Sequence, residues 1–236
     1  MSQDAAAALL GRLFPAQPRL PFWLKLVYTG FLAILVPVYW RDYGPENFLY
    51  FCDAALFFAL AALWFERPLL ASAPLIGIFL PQMLWVVDFC AELAGLKLIG
   101  ITHYMFEPTR PLFTRMLSSF HFWLPFLLLG VVWRLGYDRR AFALWTVLAW
   151  VLMGICYVAM PPPPTSPDRP NRPVNINYVF GLDDSKPPQD WMHPDWYFAL
   201  LVAALPVGII LPSHLLFGWL FTKRTAAPAE AWAASP

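Results

Sequence analysis

Charge is what this chain has least of. Only 13% of its 236 residues are Asp, Glu, Lys or Arg, about half the share found in an ordinary soluble domain. So few charges cannot cover a water-facing surface, which excludes a soluble globular class. The formal net charge is +1. With no basic stripe, a nucleic-acid partner is not expected. Cysteine is scarce as well. Cys52, Cys90 and Cys156 each lie in an apolar segment, too few for a disulfide framework and expected to be free, buried thiols. No His or Cys spacing of the zinc type occurs, so neither a metal nor a cofactor is expected.

What the chain does have is apolar length. Hydrophobic residues make up 59% of it, with 20 Phe and 12 Trp, and the mean hydropathy is +0.55. Six long apolar runs follow one another: residues 20–40, 47–66, 69–91, 111–133, 141–160 and 196–221. A spanning helix needs about 20 such residues. The expected fold is therefore an all-α, polytopic membrane bundle of six transmembrane helices over residues 21–221. An amphipathic or disordered lead, residues 1–20, precedes it, and a charged C-terminal tail, residues 222–236, follows. The lead holds Asp4, Arg12 and Arg19 and no short apolar core with a small-residue cleavage site. The first run is thus expected to stay as an anchor. Trp23, Trp40, Trp64, Trp191 and Trp196 fit interfacial belts.

The connections set the expected orientation. Arg67, Arg134, Arg139 and Arg140 sit in tight turns on one side. Asp168, Asp183, Asp184, Asp190 and Asp195 sit in the long connection on the other. By the positive-inside rule both termini are expected in the cytoplasm, with the protein in the cell membrane. The long connection, residues 161–195, opens with a Pro-rich stretch that has no helix option. It continues with VNINYVFG, a β-prone patch, and then DDSKPPQDWMHPDW. Its apolar and aromatic content suggests an ordered outer loop that caps the bundle mouth.

Polar residues inside spanning segments are costly and often mark function. They gather toward that same mouth. Cys52 and Asp53 lie one to two turns into the second run. Asp88, Cys90 and Glu92 lie near the outer end of the third. Thr114, Ser118, His121 and Pro125 share one face of the fourth, at i, i+4, i+7 and i+11, with Arg115 beside them. The loop adds Asn175, Asn177 and Tyr178. A thiol becomes a nucleophile when a neighbouring His removes its proton, and that His can return the proton to a leaving group. The side-chain amides of Asn175 and Asn177 could hold an oxyanion. Cys52 and His121 therefore form an acyl-transfer constellation. The bland alternatives remain open: Cys52 as a small buried hydrophobe, and His121 hydrogen-bonded to Ser118 or to a backbone carbonyl. Asp53 is expected to pair with His121 or with a cation such as Arg115. Asp88 and Glu92 could hold a cation, or Glu92 could meet Lys97 or Arg110. Asp195 and Pro194 suit the start of the last helix, with His193 at its boundary.

The succession FLYFCDAALF, SSFHFWLPFLLLG, VNINYVFG and DWMHPDWYFALL resembles a family of integral membrane proteins. The family includes bacterial proteins of the YwaF type and transmembrane protein 164, with the androgen-induced and androgen-dependent fatty-ester hydrolases as distant relatives. The likeness covers roughly residues 47–215. It implies lipid acyl transfer or acyl-ester hydrolysis, with a nucleophile on the second helix and His121 as base. Cys52 matches the thiol branch, whereas the hydroxyl of the hydrolase branch falls at Tyr50. Membrane lipids would be the partners and an acyl-lipid the substrate. The rival readings are a small-molecule carrier, with its polar groups forming a path across the membrane, and a non-catalytic scaffold. The oligomeric state has no signal in the sequence.

Overall fold

The computed structural model describes residues 19–108, 110–164, 172–183 and 186–222. Most of the N-terminal lead, the middle of the Pro-rich stretch with Asp168, Asp184 and the C-terminal tail lie outside the described residues. Helix α1 spans Phe22–Asp42, and a 3-10 turn, Pro45–Leu49, leads into α2, Phe51–Phe65. Then come α3 (Pro68–Leu93), α4 (Leu112–Leu117), α5 (Phe120–Leu135) and α6 (Ala141–Ala159). The last span is α7 (Pro194–Leu205), a π turn (Pro206–Ile210) and α8 (Leu211–Thr222). No strand occurs among the described residues. Five stretches are long and apolar enough to cross a bilayer: Phe22–Asp42, Pro68–Leu93, Leu112–Leu135, Ala141–Ala159 and Pro194–Phe221.

The run at residues 47–66 is not one helix. It breaks at Tyr50, whose φ of -61° and ψ of 141° are extended. The helical part, Phe51–Phe65, has 15 residues. At about 1.5 Å per residue it reaches about 22 Å, against about 30 Å of hydrocarbon. The run at residues 111–133 also divides, at Ser118–Ser119. Ser118 and Ser119 compete for backbone bonds, and Pro125 cannot donate to the carbonyl of His121. The chain tightens there, with the N–H of His121 bonded to Ser118 and that of Phe122 to Ser119.

Helix α3 is the axis of the bundle. Residues 71–78 are buried on every side, and α2, α5, α6 and α8 all pack on it. Small residues let the backbones approach. At Gly77 an added Cβ would lie 1.6 Å from Trp145 Nε1 on α6, so the indole occupies the space that a side chain would need. Helix α1 is mostly exposed and is held by polar bonds. The Tyr28 hydroxyl donates to the Leu56 carbonyl at 2.9 Å, and the Trp64 indole N–H donates to the Thr29 hydroxyl at 3.0 Å. At the lower end, Lys25 Nζ meets Glu66 Oε1 at 2.7 Å, and the amides of Arg19 and Leu20 donate to the same carboxylate at 2.6 and 3.2 Å. Glu66 caps α2 with a φ of 50°. The end of α2 thus lies beside the start of α1, and the two helices run antiparallel.

Candidate functional site

The opposite end of the bundle holds the residues singled out in the sequence. The break before α2 places Cys52 and Asp53 in its first turn. No side chain of Tyr50 caps that turn. Instead, Oδ1 of Asn177 accepts the N–H of Phe51 at 3.2 Å. Nδ2 of Asn177 donates to the Leu49 carbonyl at 2.9 Å and reaches Cys156 Sγ at 3.7 Å. The loop before α7, the start of α2 and the end of α6 meet on this one side chain. Both ends of the Asn177 amide are therefore spent on backbone and thiol, not on a developing oxyanion. Asn175 is committed in the same way, donating to Gly181 O and accepting from the N–H of Phe180, both at 2.8 Å.

The loop around these residues is a 3-10 turn, Ile176–Tyr178, not the strand that VNINY suggests. The φ angles of Asn175, Asn177 and Tyr178 are 50°, 58° and 61°. That region is closed to extended chain and tolerated best by Asn. Tyr178 turns outward, and its carbonyl accepts the Tyr197 hydroxyl at 3.1 Å.

Cys52 is half-buried and its thiol donates to Asp53 Oδ2 at 3.6 Å. Asp53 is buried and meets neither Arg115 nor His121. Its second oxygen, Oδ1, has no hydrogen-bond partner among the described residues. The expected pairing with a cation or with the imidazole is replaced by the neighbouring thiol, because the carboxylate points along its own helix turn. Cys156 is buried as expected, whereas Cys90 lies on the outer surface of α3.

His121 lies in the first turn of α5. Its Nδ1 donates to the Ser118 carbonyl at 2.8 Å, which fixes the tautomer and makes Nε2 the nitrogen that carries the lone pair. The ring stacks on Trp85 at 5.2 Å and lies 4.1 Å from the Phe120 ring. The Tyr39 and Ser118 hydroxyl oxygens are 2.6 Å apart. Tyr104, in the 3-10 turn His103–Met105 between α3 and α4, stands beside Trp85 and Ser118. Burial pushes the Tyr104 phenol up, so it remains a neutral donor at physiological pH. Among the described residues Cys52 and His121 share no hydrogen bond; Ser118 joins His121 to Tyr39, through its carbonyl and its hydroxyl.

Asp88 and Glu92 hold the connection that follows α3. Asp88 accepts from the N–H groups of Ile99, Gly100 and Thr102 at 2.8, 3.0 and 3.0 Å, and from the Thr102 hydroxyl at 2.8 Å. Glu92 pairs with His103 Nδ1 at 2.7 Å, not with Lys97 or Arg110, because the loop folds back over α3. Arg110 pairs with Glu107 instead. Among the described residues no cluster of His, Cys, Asp and Glu could hold a metal. Sequence reasoning missed Tyr39, Gln82 and Trp85, which read as ordinary residues of apolar runs. His193 does cap α7, accepting from the Asp195 N–H at 3.4 Å. No family model matches the chain, and neither a curated protein nor a solved structure matches it.

Proposed function

We propose that this protein is a membrane-embedded enzyme that transfers or hydrolyses the acyl group of a lipid ester. Cys52 is the nucleophile and His121 the general base. The observation that carries this reading is the 2.8 Å bond from His121 Nδ1 to the Ser118 carbonyl. It makes Nε2 the basic atom of the ring. Asp53 holds the resting thiol, and an arriving ester turns the sulfur toward the imidazole. Nε2 takes the thiol proton while sulfur attacks the ester carbonyl carbon. The ester C–O bond then breaks, and His121 returns the proton to the departing alkoxide. The thioester on Cys52 is released to water or to an acceptor hydroxyl.

The test is labelling by a long-chain β-lactone, which acylates active thiols. Cys52→Ala and His121→Ala should each abolish labelling with expression unchanged. Full labelling of both variants sinks the site.

The same reading takes α2 as a sixth crossing, assisted by the 3-10 turn before it. The contacts of Glu66 with Arg19 and Leu20 support this, since they return α2 to the end where α1 begins. Six crossings put both termini on one side, the cytoplasmic face of the cell membrane. Reporter fusions after residue 222 and within residues 161–164 should then report opposite sides.

A further inference from the structure

At the Cys52 end the connections match their charges in pairs. Asp42, which also accepts the Thr114 hydroxyl, meets Arg41 at 2.7 Å. Glu107 meets Arg110 at 2.9 Å and Glu46 meets Arg172 at 2.6 Å. Arg115, on α4, takes part in no ion pair among the described residues. Its guanidinium is nonetheless held in place. Nη1 donates to the Met105 carbonyl at 3.0 Å, and Nε is buried with no hydrogen-bond partner among the described residues. Lys97 has no acid either, but it is exposed, and water hydrates an ammonium strongly. Arg115 is the fourth residue of the stretch Leu112–Leu135, about 5 Å inside its end. A cation so close to the end of a span reaches for the membrane interface. Leu112 and Met116, three residues before it and one after, are 65% and 59% exposed.

We propose that Arg115 binds the phosphodiester of an anionic membrane lipid, whose acyl chains lie against Leu112 and Met116. The chemistry follows from the donor set. A guanidinium only donates, so its partner is an acceptor. It carries a charge that no neighbouring acid balances, so that acceptor is an anion. Its planar fork of N–H groups matches the oxygens of a phosphate. The apolar side chains beside it make a lipid the bearer of that phosphate. The site goes beyond the acyl-transfer reading and uses nothing at Cys52.

The experiment measures retention of labelled dioleoylphosphatidylglycerol, dioleoylglycerol and oleate by the full chain in neutral detergent, together with the thermal midpoint. Wild type should retain the phosphatidylglycerol at least tenfold more tightly than dioleoylglycerol, and its midpoint should rise as that lipid is added. Arg115→Gln should weaken retention at least tenfold, the worth of one hydrogen bond to a charged group, and lose the rise. Arg115→Lys keeps the charge without the planar fork. Its retention should fall between the two, and it carries the test if the Gln variant does not fold. Lys97→Gln should behave as wild type does. A midpoint raised as far by inorganic phosphate supports the site with a soluble phosphate as its source. Equal retention of dioleoylglycerol, tighter retention of oleate, or a wild-type response in Arg115→Gln overturns the proposal. So does an equal loss in Lys97→Gln, which assigns the effect to overall charge.

Discussion

Asn177 caps a helix that begins 126 positions before it, its Oδ1 accepting the N–H of Phe51. The first turn of α2 has no cap of its own, and that turn carries Cys52 and Asp53. The loop before α7 therefore sets where the thiol points. Asn177→Ala should cost about 1–2 kcal/mol, the usual worth of a cap, read as a lower thermal midpoint in detergent. Labelling at Cys52 should slow as well, even well below the melting range. Asn177→Asp keeps the acceptor and loses the donor to Leu49, so its labelling rate should fall between the two.

Lys25 and Glu66 form the buried pair at the opposite end. Removing one partner of such a pair costs about 3–5 kcal/mol, because the other charge stays buried and alone. Glu66→Gln should lose roughly that much, and Lys25→Met with Glu66→Leu should recover most of it. A double-mutant cycle on thermal midpoints checks this.

The same carboxylate gives a pH signature. Burial acts to raise the pKa of Glu66, but the Lys25 ammonium and the amides of Arg19 and Leu20 outweigh it and hold the value below the ordinary range. Asp138, bonded to the Arg140 guanidinium, is lowered too. A lowered folded-state value means that folding favours the carboxylate. The stabilisation is complete above the ordinary carboxylate pKa of about 4, and is lost as pH falls through the folded value. The thermal midpoint should drop on going from pH 6 to pH 3, and the drop should be shallower in Glu66→Gln. An equal drop in both proteins contradicts the assignment.

Gly77 has Trp145 where its side chain would be. Gly77→Ala should destabilise by about 1–3 kcal/mol, the common range for overpacking. Trp145→Phe removes the indole nitrogen nearest to the intruding carbon. The double variant should therefore be more stable than the two single losses added together.

Asp88 gathers three backbone amides and a hydroxyl. An Asn side chain offers one acceptor oxygen in place of two. Asp88→Asn should release residues 96–106, seen as faster hydrogen exchange there and unchanged exchange in α6. Tyr104 moves with that loop, so on the proposed reading labelling at Cys52 should fall as well.

Five long apolar stretches were legible because a bilayer tolerates few alternatives to long, internally bonded runs, whereas the breaks at Tyr50 and at Ser118–Ser119 were not. The bond from His121 to Ser118 was legible too, since three residues on a helix are neighbours. Asn177 and Phe51 are joined only by tertiary packing, and no local pattern links them. The VNINY segment misled because Val, Ile and Tyr favour strands, while the Asn residues between them accept the left-handed angles that the turn adopts. Tyr39 and Trp85 were hidden for another reason. In an apolar run an aromatic ring reads as packing, and only coordinates reveal which hydroxyl or indole faces a polar neighbour.

The π turn at Pro206–Ile210 has a geometric consequence. Such a turn holds one residue more than an α turn, so the helix beyond it is rotated by about 100°. Before it, Phe198, Leu201 and Val202 pack on the small cluster around Met153, Cys156 and Ile176. After it, Ile210, Phe217 and Phe221 join the main core. A single unbroken screw could address only one of these two patches. Deleting Val207 should restore uniform winding and swing Phe217 and Phe221 toward the acyl chains, detaching the final half-span from α3.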